Sequence, residues 1–373
     1  MKTLQVLLTI SLVLITIGLL AQEFEVYVSD AANYNTGPWQ VAKFDGNGDN
    51  PESFNEDDLI WPQDIVILED QEIILISSLT GNGYITKHDI ETGEVVGNFA
   101  EGINGPTRMK IGADGLLYVL QWYNGNNFVL RYQLDGTFVD EFTSIGVPQS
   151  IGIDWDSDGN LYVSSYSQDI VQKFDQDGNF IETFIDSDVV GPTNIWFDES
   201  GDLMVIDYDG GAVKRFDADG NFVDVFIPGL SYPEGVDFFP NGNILIGNGG
   251  TSSVKLFDPD GMFIEEFIPS GSGGLITPNA VVIREITSVS VDENKMNEHF
   301  IYPSIGTTFY LRQDFSDEIN SINIYDMTGA EMTITEIMTT GIWNSGNIKP
   351  GLYLVVAKVN GSMLMQKVTV IKE

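Results

Sequence analysis

The chain has no cysteine. That excludes thiol nucleophiles, thiolate metal sites, disulfide staples and a lipid anchor on cysteine, so the stability of its 373 residues must come from burial. Histidine is almost as scarce, with only His88 and His299. One falls in a β-hairpin pattern and the other in a polar stretch, so a zinc site built from several imidazoles lacks material. Ser/His/Asp catalysis has no supporting arrangement either. Positive charge is short as well: 17 Lys and Arg stand against 55 Asp and Glu, a formal net charge of -38. A phosphate backbone is bound by clustered Lys and Arg, so nucleic acid is excluded as a natural partner. Helix signals are missing, which leaves no place for a glycine-rich phosphate loop opening a helix. Past the first residues, no apolar run is long enough to cross a bilayer.

Those first residues form the one apolar run. Lys2 is followed by Leu4 to Leu20, and the run ends at Ala21-Gln22. A basic start, a short hydrophobic stretch and a small residue at the cleavage point read as a signal peptide over 1–21, hence export across an inner membrane. The competing reading is an uncleaved anchor, against which stand the shortness of the run and its Gln5, Thr9, Ser11 and Gly18.

What is present in quantity is a repeat. An aromatic residue, a polar pair, Asp-Gly and an alternating apolar run ending in Phe occur from Phe174 to Phe184, Phe216 to Phe226, and Phe257 to Phe267. A looser copy begins at Tyr132 and ends at Phe142, and degenerate ones run from His88 to Phe99 and Phe44 to Phe54. Successive starts lie 44, 44, 42, 42 and 41 residues apart. The Asp-Gly pair supplies the positive φ angles of a tight hairpin, and period-two alternation flanks it. A basic residue precedes most of the aromatics, as a partner for the acidic strand opposite. A second motif interleaves: Pro, a few apolar positions, an Asp/Asn-Gly turn, then a β-rich run, beginning at Pro62, Pro106, Pro148, Pro192, Pro233 and Pro278. Two hairpins in about 42 residues make a four-stranded propeller blade.

The ends of the array predict how the ring closes. The copy at Pro278 has only a first strand, and the chain from Phe24 has only the last three. One strand from one end and three from the other complete a sixth blade, which removes the free sheet edges. The sequence therefore predicts an all-β fold: a six-bladed β-propeller over 22–285 with 1+3 closure, a linker over 286–299, and a small C-terminal β-sandwich over 300–373. The rhythm of Pro148 to Phe267 resembles the NHL repeat family, whose functions are diverse, so the resemblance implies the fold and little about activity. Net charge divides along the same line, at -35 for residues 23–285 (45 acids, 10 bases) and -4 for 290–373 (10 acids, 6 bases).

The C-terminal stretch has its own landmarks in Ile301-Tyr-Pro-Ser304, Ile322 to Gly329, Gly351 to Val356 and Lys367 to Lys372. This order resembles the C-terminal sorting domain of type IX secretion in Bacteroidota, although Ser304-Ile305 departs from that family's opening Asn-Pro. The resemblance implies the type IX machinery as a partner of residues 300–373 and delivery to the outer-membrane surface or the medium. The alternative is an immunoglobulin-like sandwich with a structural or adhesive role.

In a propeller, the loops joining blades and those between second and third strands share one face around the channel, the default place for a site. Aligning on the prolines predicts one ring of Asp64, Arg108, Ser150, Asn194, Gly235 and Ala280. A second ring holds Asp30, Ser78, Gln121, Ser165, Asp207 and Asn248, followed by Trp122, Tyr166 and Tyr208 in three successive blades. Arg108, Gln121, Trp122, Tyr166, Asn194, Asp207 and Tyr208 are the candidate ligand-binding residues, for a glycan, peptide or protein held by stacking and hydrogen bonds. The competing reading makes the aromatics packing between blades. Gluconolactonase-like propellers hold a divalent cation at the channel mouth, and the analogous oxygen donors here are Glu234, Asn279, Asn194 and Asp207, of the kind Ca²⁺ takes. A second cation candidate is the loop Asp45, Asn47 and Asp49 with Glu56 at its twelfth place. No catalytic residue is assigned, and a binding protein and a cation-dependent hydrolase both remain open.

Overall fold

The computed structural model describes residues 23–80, 82–123, 125–286, 300–312, 319–326, 331–332, 337–346, 348–359 and 362–372. The expected signal peptide and most of the expected linker, His299 included, lie outside them. The chain divides into a unit over Glu23–Ile286 and one that contains Thr287–Glu373.

The first unit is a ring of six four-stranded antiparallel sheets. Blade I has the order β24-β1-β2-β3 (Pro278–Ile286, Glu23–Asp30, Gln40–Asp45, Glu52–Asn55). Blade II holds β4 to β7 (Pro62–Leu68, Ile73–Ser78, Gly83–Asp89, Val95–Ile103), and blade III β8 to β11 (Pro106–Ile111, Leu117–Gln121, Leu130–Tyr132, Phe138–Glu141). Blade IV holds β12 to β15 (Ser150–Trp155, Leu161–Ser165, Ile170–Phe174, Phe180–Ile185), and blade V β16 to β19 (Pro192–Phe197, Leu203–Asp207, Ala212–Phe216, Phe222–Ile227). Blade VI holds β20 to β23 (Pro233–Phe238, Ile244–Asn248, Ser253–Phe257, Phe263–Ile268). The 1+3 closure is real: β24 pairs with β1 from Ile286 opposite Glu23 to Pro278 opposite Asp30. Arg284 of β24 pins the seam through Glu25, Glu69 and Glu91 at 2.8–3.3 Å.

Second strands such as Leu117–Gln121, Leu161–Ser165 and Leu203–Asp207 are buried at every residue, because both faces of a blade meet a neighbouring blade. Apolar side chains of adjacent blades therefore share cores, as Phe184, Val171 and Leu203 of blades IV and V do. The fourth strands are solvated at the rim, with Phe180 to Thr183 exposed. The expected basic partners appear where they were placed: Arg131 with Asp140 at 2.7 Å, Arg215 with Asp224 at 3.4 Å, and Lys255 with Glu266 at 3.2 Å.

Two expectations are corrected. First, in the Asp-Gly hairpins only the glycine takes positive φ, as Gly178 does at +79°. The turn is a longer one in which an earlier aspartate accepts several donors: Asp175 Oδ1 takes the N–H of Asp177 at 2.9 Å and of Asn179 at 2.8 Å. The glycine is also held by close approach. A Cβ on Gly178 would stand 2.1 Å from the carbonyl oxygen of Phe142, and one on Gly220 2.2 Å from that of Phe184. The Phe that ends each motif thus abuts the next blade's turn. Second, blade IV begins at Ser150, which pairs with Ser165 as Pro192 pairs with Asp207. Pro148 stands two residues early, so Gly152, not Ser150, belongs in the first ring. Its N–H bonds Ser164 Oγ at 2.7 Å, just as Ala280 bonds Ser29 Oγ at 2.8 Å.

The C-terminal unit is a sandwich of two sheets, β25-β27-β30 (Ile301–Tyr302, Thr308–Leu311, Ile342–Asn344) and β26-β32-β31-β28-β29 (Ile305–Gly306, Ser362–Val370, Gly351–Val359, Ile319–Asp326, Glu331–Met332). Between them lies a core that includes Phe309, Ile324, Ile337, Trp343, Val355 and Val368, with Phe309 stacked on Trp343 at 4.6 Å. Gln366 clamps the first strand by accepting from Ile301 N at 2.9 Å and donating to its carbonyl at 2.6 Å. Tyr353 donates its hydroxyl to the carbonyl of Lys349 at 2.7 Å, fixing the corner before β31.

Candidate functional site

Each blade enters the channel face by one rule. The residue after the second strand donates its N–H to the carbonyl just before the first strand: Leu79 to Trp61 (3.2 Å), Trp122 to Gly105 (2.8 Å), Tyr166 to Gln149 (3.0 Å), Tyr208 to Gly191 (3.2 Å), Gly249 to Tyr232 (3.1 Å), and Ala31 to Thr277 (2.9 Å). The last residue of the second strand supplies the clamp beneath. Asp207 Oδ1 accepts from Val190 N and Asn248 Oδ1 from Ser231 N, both at 2.7 Å. Gln121 Oε1 accepts from Asn104 N at 3.2 Å and Asp30 Oδ2 from Ile276 N at 2.9 Å. In blade IV the equivalent residue is Pro148, which has no N–H, and Ser165 Oγ donates to its carbonyl instead, at 2.5 Å. The second ring therefore ties down the inter-blade connections. Gln121 and Asp207 serve there, and Asp207, fully buried, is also paired with Lys214 at 2.5 Å.

The two positions joined by that backbone bond both face the mouth, and in five blades one of them is aromatic: Trp61, Trp122, Tyr166, Tyr208 and Tyr232. Blade I has Ala31 and Thr277 at these places, and Tyr34 from its β1–β2 loop completes the circle. Ring centroids run Trp122–Tyr166 5.5 Å, Tyr166–Tyr208 5.9 Å, Tyr208–Tyr232 5.2 Å and Tyr34–Trp61 5.4 Å. The Tyr34 and Tyr208 hydroxyls meet at 3.2 Å. These six surround a cavity of about 330 Å³ that Gln63, Thr193, Asp209 and Glu234 also line. The predicted trio Trp122, Tyr166 and Tyr208 thus lies together, and Tyr34, Trp61 and Tyr232 were missed.

Beneath the cavity, bonded to its lining residues Gln63 and Glu234, lies Arg108. It is 4 % exposed and reaches across the channel: Nε donates to Asn194 Oδ1 at 3.1 Å, Nη1 to the Gln63 carbonyl, and Nη2 to Glu234 Oε1 at 3.1 Å and the Asn279 carbonyl at 3.2 Å. Asp64 Oδ1 lies 3.5 Å from Nη1, and its Oδ2 accepts from Met109 N at 2.7 Å. With its donors spent inside the channel, Arg108 closes it, and Asn194 supports that closure rather than the cavity wall. Glu234 and Asn279, two of the predicted cation donors, face this guanidinium. Burial pushes the Glu234 carboxyl up to about 7 against the pull of Arg108, with Asp64 adding to the rise. Tyr166 is pushed up to about 12 by burial and then by Asp209 and Glu234, and Tyr208 rises for the same kind of reason, so the phenols stay neutral donors.

The other predicted cation loop behaves as a hairpin turn. Asp45 accepts from Asn47 N at 2.8 Å, Asp49 N at 3.1 Å and Asn50 Nδ2 at 2.7 Å, the pattern of Asp175, while Glu56 takes the Ser53 hydroxyl at 2.8 Å. Among the described residues no group of three or more His, Cys, Asp or Glu is arranged to hold a metal ion. Among them, too, no helix is long and apolar enough to cross a membrane.

No family model matches the sequence, and no curated protein matches it. Solved structures do. A chain of the nidogen/laminin complex aligns with a TM-score of 0.57 at 15 % identity, over 70 % of this chain and 98 % of that one. A protein of unknown function from Bacteroides caccae aligns at 0.55 and 14 % identity, over 70 % and 98 %. A candidate 6-phosphogluconolactonase from Bacteroides uniformis aligns at 0.50 and 14 % identity, over 70 % and 100 %. At such identities the likeness shows the fold alone. The fold is the propeller. Its neighbours include proteins that bind and proteins linked to lactone chemistry, so the reading of function rests on the mouth.

Proposed function

We propose that the protein is an exported binding module that takes a small organic group, the end of a glycan or a peptide side chain, into the aromatic-lined mouth of its propeller. The observation that carries this reading is the recruitment of six aromatics to one rim from non-equivalent positions. Inter-blade packing would repeat one position around the ring, whereas here Trp61 and Tyr232 come from before the first strand, three others from after the second, and Tyr34 from a loop. Trp61 and Tyr232 hold left-handed φ of +48° and +49°, a conformation that costs an aromatic residue about 1 kcal/mol. The left-handed turn itself recurs at this place in blades III, IV and V, at Gly105, Gln149 and Gly191, so what is particular to blades II and VI is that an aromatic residue bears it. Glycan and peptide arrays test it: binding is expected, and the double variant Trp122→Ala/Tyr208→Ala is expected to abolish it while leaving the fold intact. Binding that ignores those changes would remove the mouth from the account.

The reading extends to delivery. Residues 1–21 serve as the signal peptide, the propeller belongs with NHL-type repeats, and residues 300–373 address the protein to type IX secretion and the outer-membrane surface, as the strand landmarks of that segment suggest. A second reading, a hydrolase of lactones or related esters that uses a divalent cation such as Ca²⁺, draws on one observation, a carboxyl raised to about 7 within the same cavity. Lactone turnover that is lost with chelator and with Glu234→Gln would favour it over pure binding.

A further inference from the structure

The loops of the mouth face hold no positive charge. Residues 31–39, 56–61, 79–82, 104–105, 122–129, 142–149, 166–169, 186–191, 208–211, 228–232, 249–252 and 269–277 contain seven Asp or Glu and no Lys, Arg or His. The two nearest cations are already engaged. Arg108 is held below by Glu234 and Asp64, and Lys214 by Asp207 and the Asp188 carbonyl. Asp209 lines the cavity and takes only the Tyr166 hydroxyl, at 3.1 Å, with no Lys or Arg paired to it among the described residues. The cavity is thus ringed by π faces, carries carboxylate charge and offers no cation to an anionic group. Aromatic faces attract an organic cation through their quadrupole, and a weakly hydrated ammonium loses least on leaving water. Resting on the reading of the mouth as a binding site, we propose that its ligand is an organic ammonium ion, a positively charged nitrogen on a short apolar stem, seated among Trp122, Tyr166, Tyr208 and Tyr232 with Asp209 as counter-charge.

The phenols of Tyr166 and Tyr208 are pushed up first by burial and then by nearby carboxylates, Asp209 and Glu234 for Tyr166 and Glu234 for Tyr208, and that negative charge is what a cation at the mouth would also feel. Acidic sugars meet the opposite field.

The test is a titration of the full chain with choline, with 3,3-dimethylbutan-1-ol, its uncharged isostere, and with a neutral oligosaccharide, followed by indole and tyrosine NMR signals at low and high salt. Choline is expected to bind at least about 10-fold more tightly than the isostere, with affinity falling as salt rises. Asp209→Asn is expected to weaken choline and leave the isostere unchanged, and Tyr208→Ala to weaken both. A trimethyl-lysine peptide as a further arm separates a free cation from one carried on a protein. Equal affinity for choline and isostere, or binding of the oligosaccharide alone, would overturn the ammonium assignment and leave the mouth as a site. If no arm perturbs any mouth aromatic, the site itself falls with it.

Discussion

On one face of the propeller the turns between third and fourth strands are near copies of one another; on the other, every blade differs. The copied face repeats an aspartate that accepts backbone donors and a glycine pressed against the preceding blade's Phe carbonyl, from Gly48 on Phe267 round to Gly261 on Phe226. Identical geometry at each step follows from a demand that each step shares, namely keeping neighbouring sheets in register. At the mouth the backbone bonds still repeat in all six blades, but the side chains they carry do not. Repetition marks what the ring needs in order to close, and departure from it marks what the ring is for.

The comparison breaks most violently at Arg108, where a single side chain of the channel holds four other blades at once. Its guanidinium joins side chains or carbonyls of blades I, II, V and VI. Arg108→Ala would leave Asp64 and Glu234 buried without a counter-ion, and removing one partner of a buried pair costs about 3–5 kcal/mol. Chemical denaturation should show a loss of that order. A loss under about 1 kcal/mol would mean that the channel is solvated and Arg108 does not close it.

The unequal behaviour of the two faces also explains what could be read from the sequence. Spacing of the Asp-Gly turns and the Phe ends revealed six blades and their closure, because those signals are local and recur. Arg108 could be named as a channel residue, but its partners Asp64, Asn194 and Glu234 come from three other blades and no spacing announces the contact. The rim was half legible. Column alignment finds Trp122, Tyr166 and Tyr208 because they share a position; it misses Trp61 and Tyr232, which exchange places with Leu79 and Gly249, and Tyr34, which has no column. Blade IV was misaligned because Pro148 lies before the strand, where the other prolines begin it. Gln121 and Asp207 looked like ligand contacts for a plain reason: polar residues facing a channel and polar residues capping backbone N–H groups have the same composition.

A gentler probe of the same contrast is pH. The Glu234 carboxyl stands at about 7 in the folded chain against an ordinary 4.5, so the folded state binds the proton more tightly than the unfolded one between those values. Its contribution to stability is therefore full below pH 4.5 and declines as pH rises through 7. Glu234→Gln, which stays neutral, should lack this decline. The stability gap between wild type and variant should consequently shift in the variant's favour from pH 4.5 to 8, whereas Asp156, whose carboxyl is held below its usual value with donors from Asn160 and Tyr162, is ionised in both states over that range and should give a constant gap if changed to Asn. Parallel urea titrations of wild type and Glu234→Gln across that range decide it; a constant gap would mean that Glu234 titrates as an ordinary carboxyl.

The smallest effect on stability should come where the rim is most deliberate. Tyr232 is half exposed and holds φ at +49°, and its equivalents in blades III and V are Gly105 and Gly191. Tyr232→Gly would surrender a contact with Tyr208 and some unfolded-chain restraint, but it would also release left-handed strain of about 1 kcal/mol. The two nearly cancel, so the melting temperature should stay within about 2 °C of wild type. Ligand affinity should nevertheless drop, because the cavity wall between blades V and VI opens. Were Tyr232 merely packing, the order would reverse, with a clear loss of stability and no change in binding. That single substitution therefore separates a rim built for contact from one built for closure.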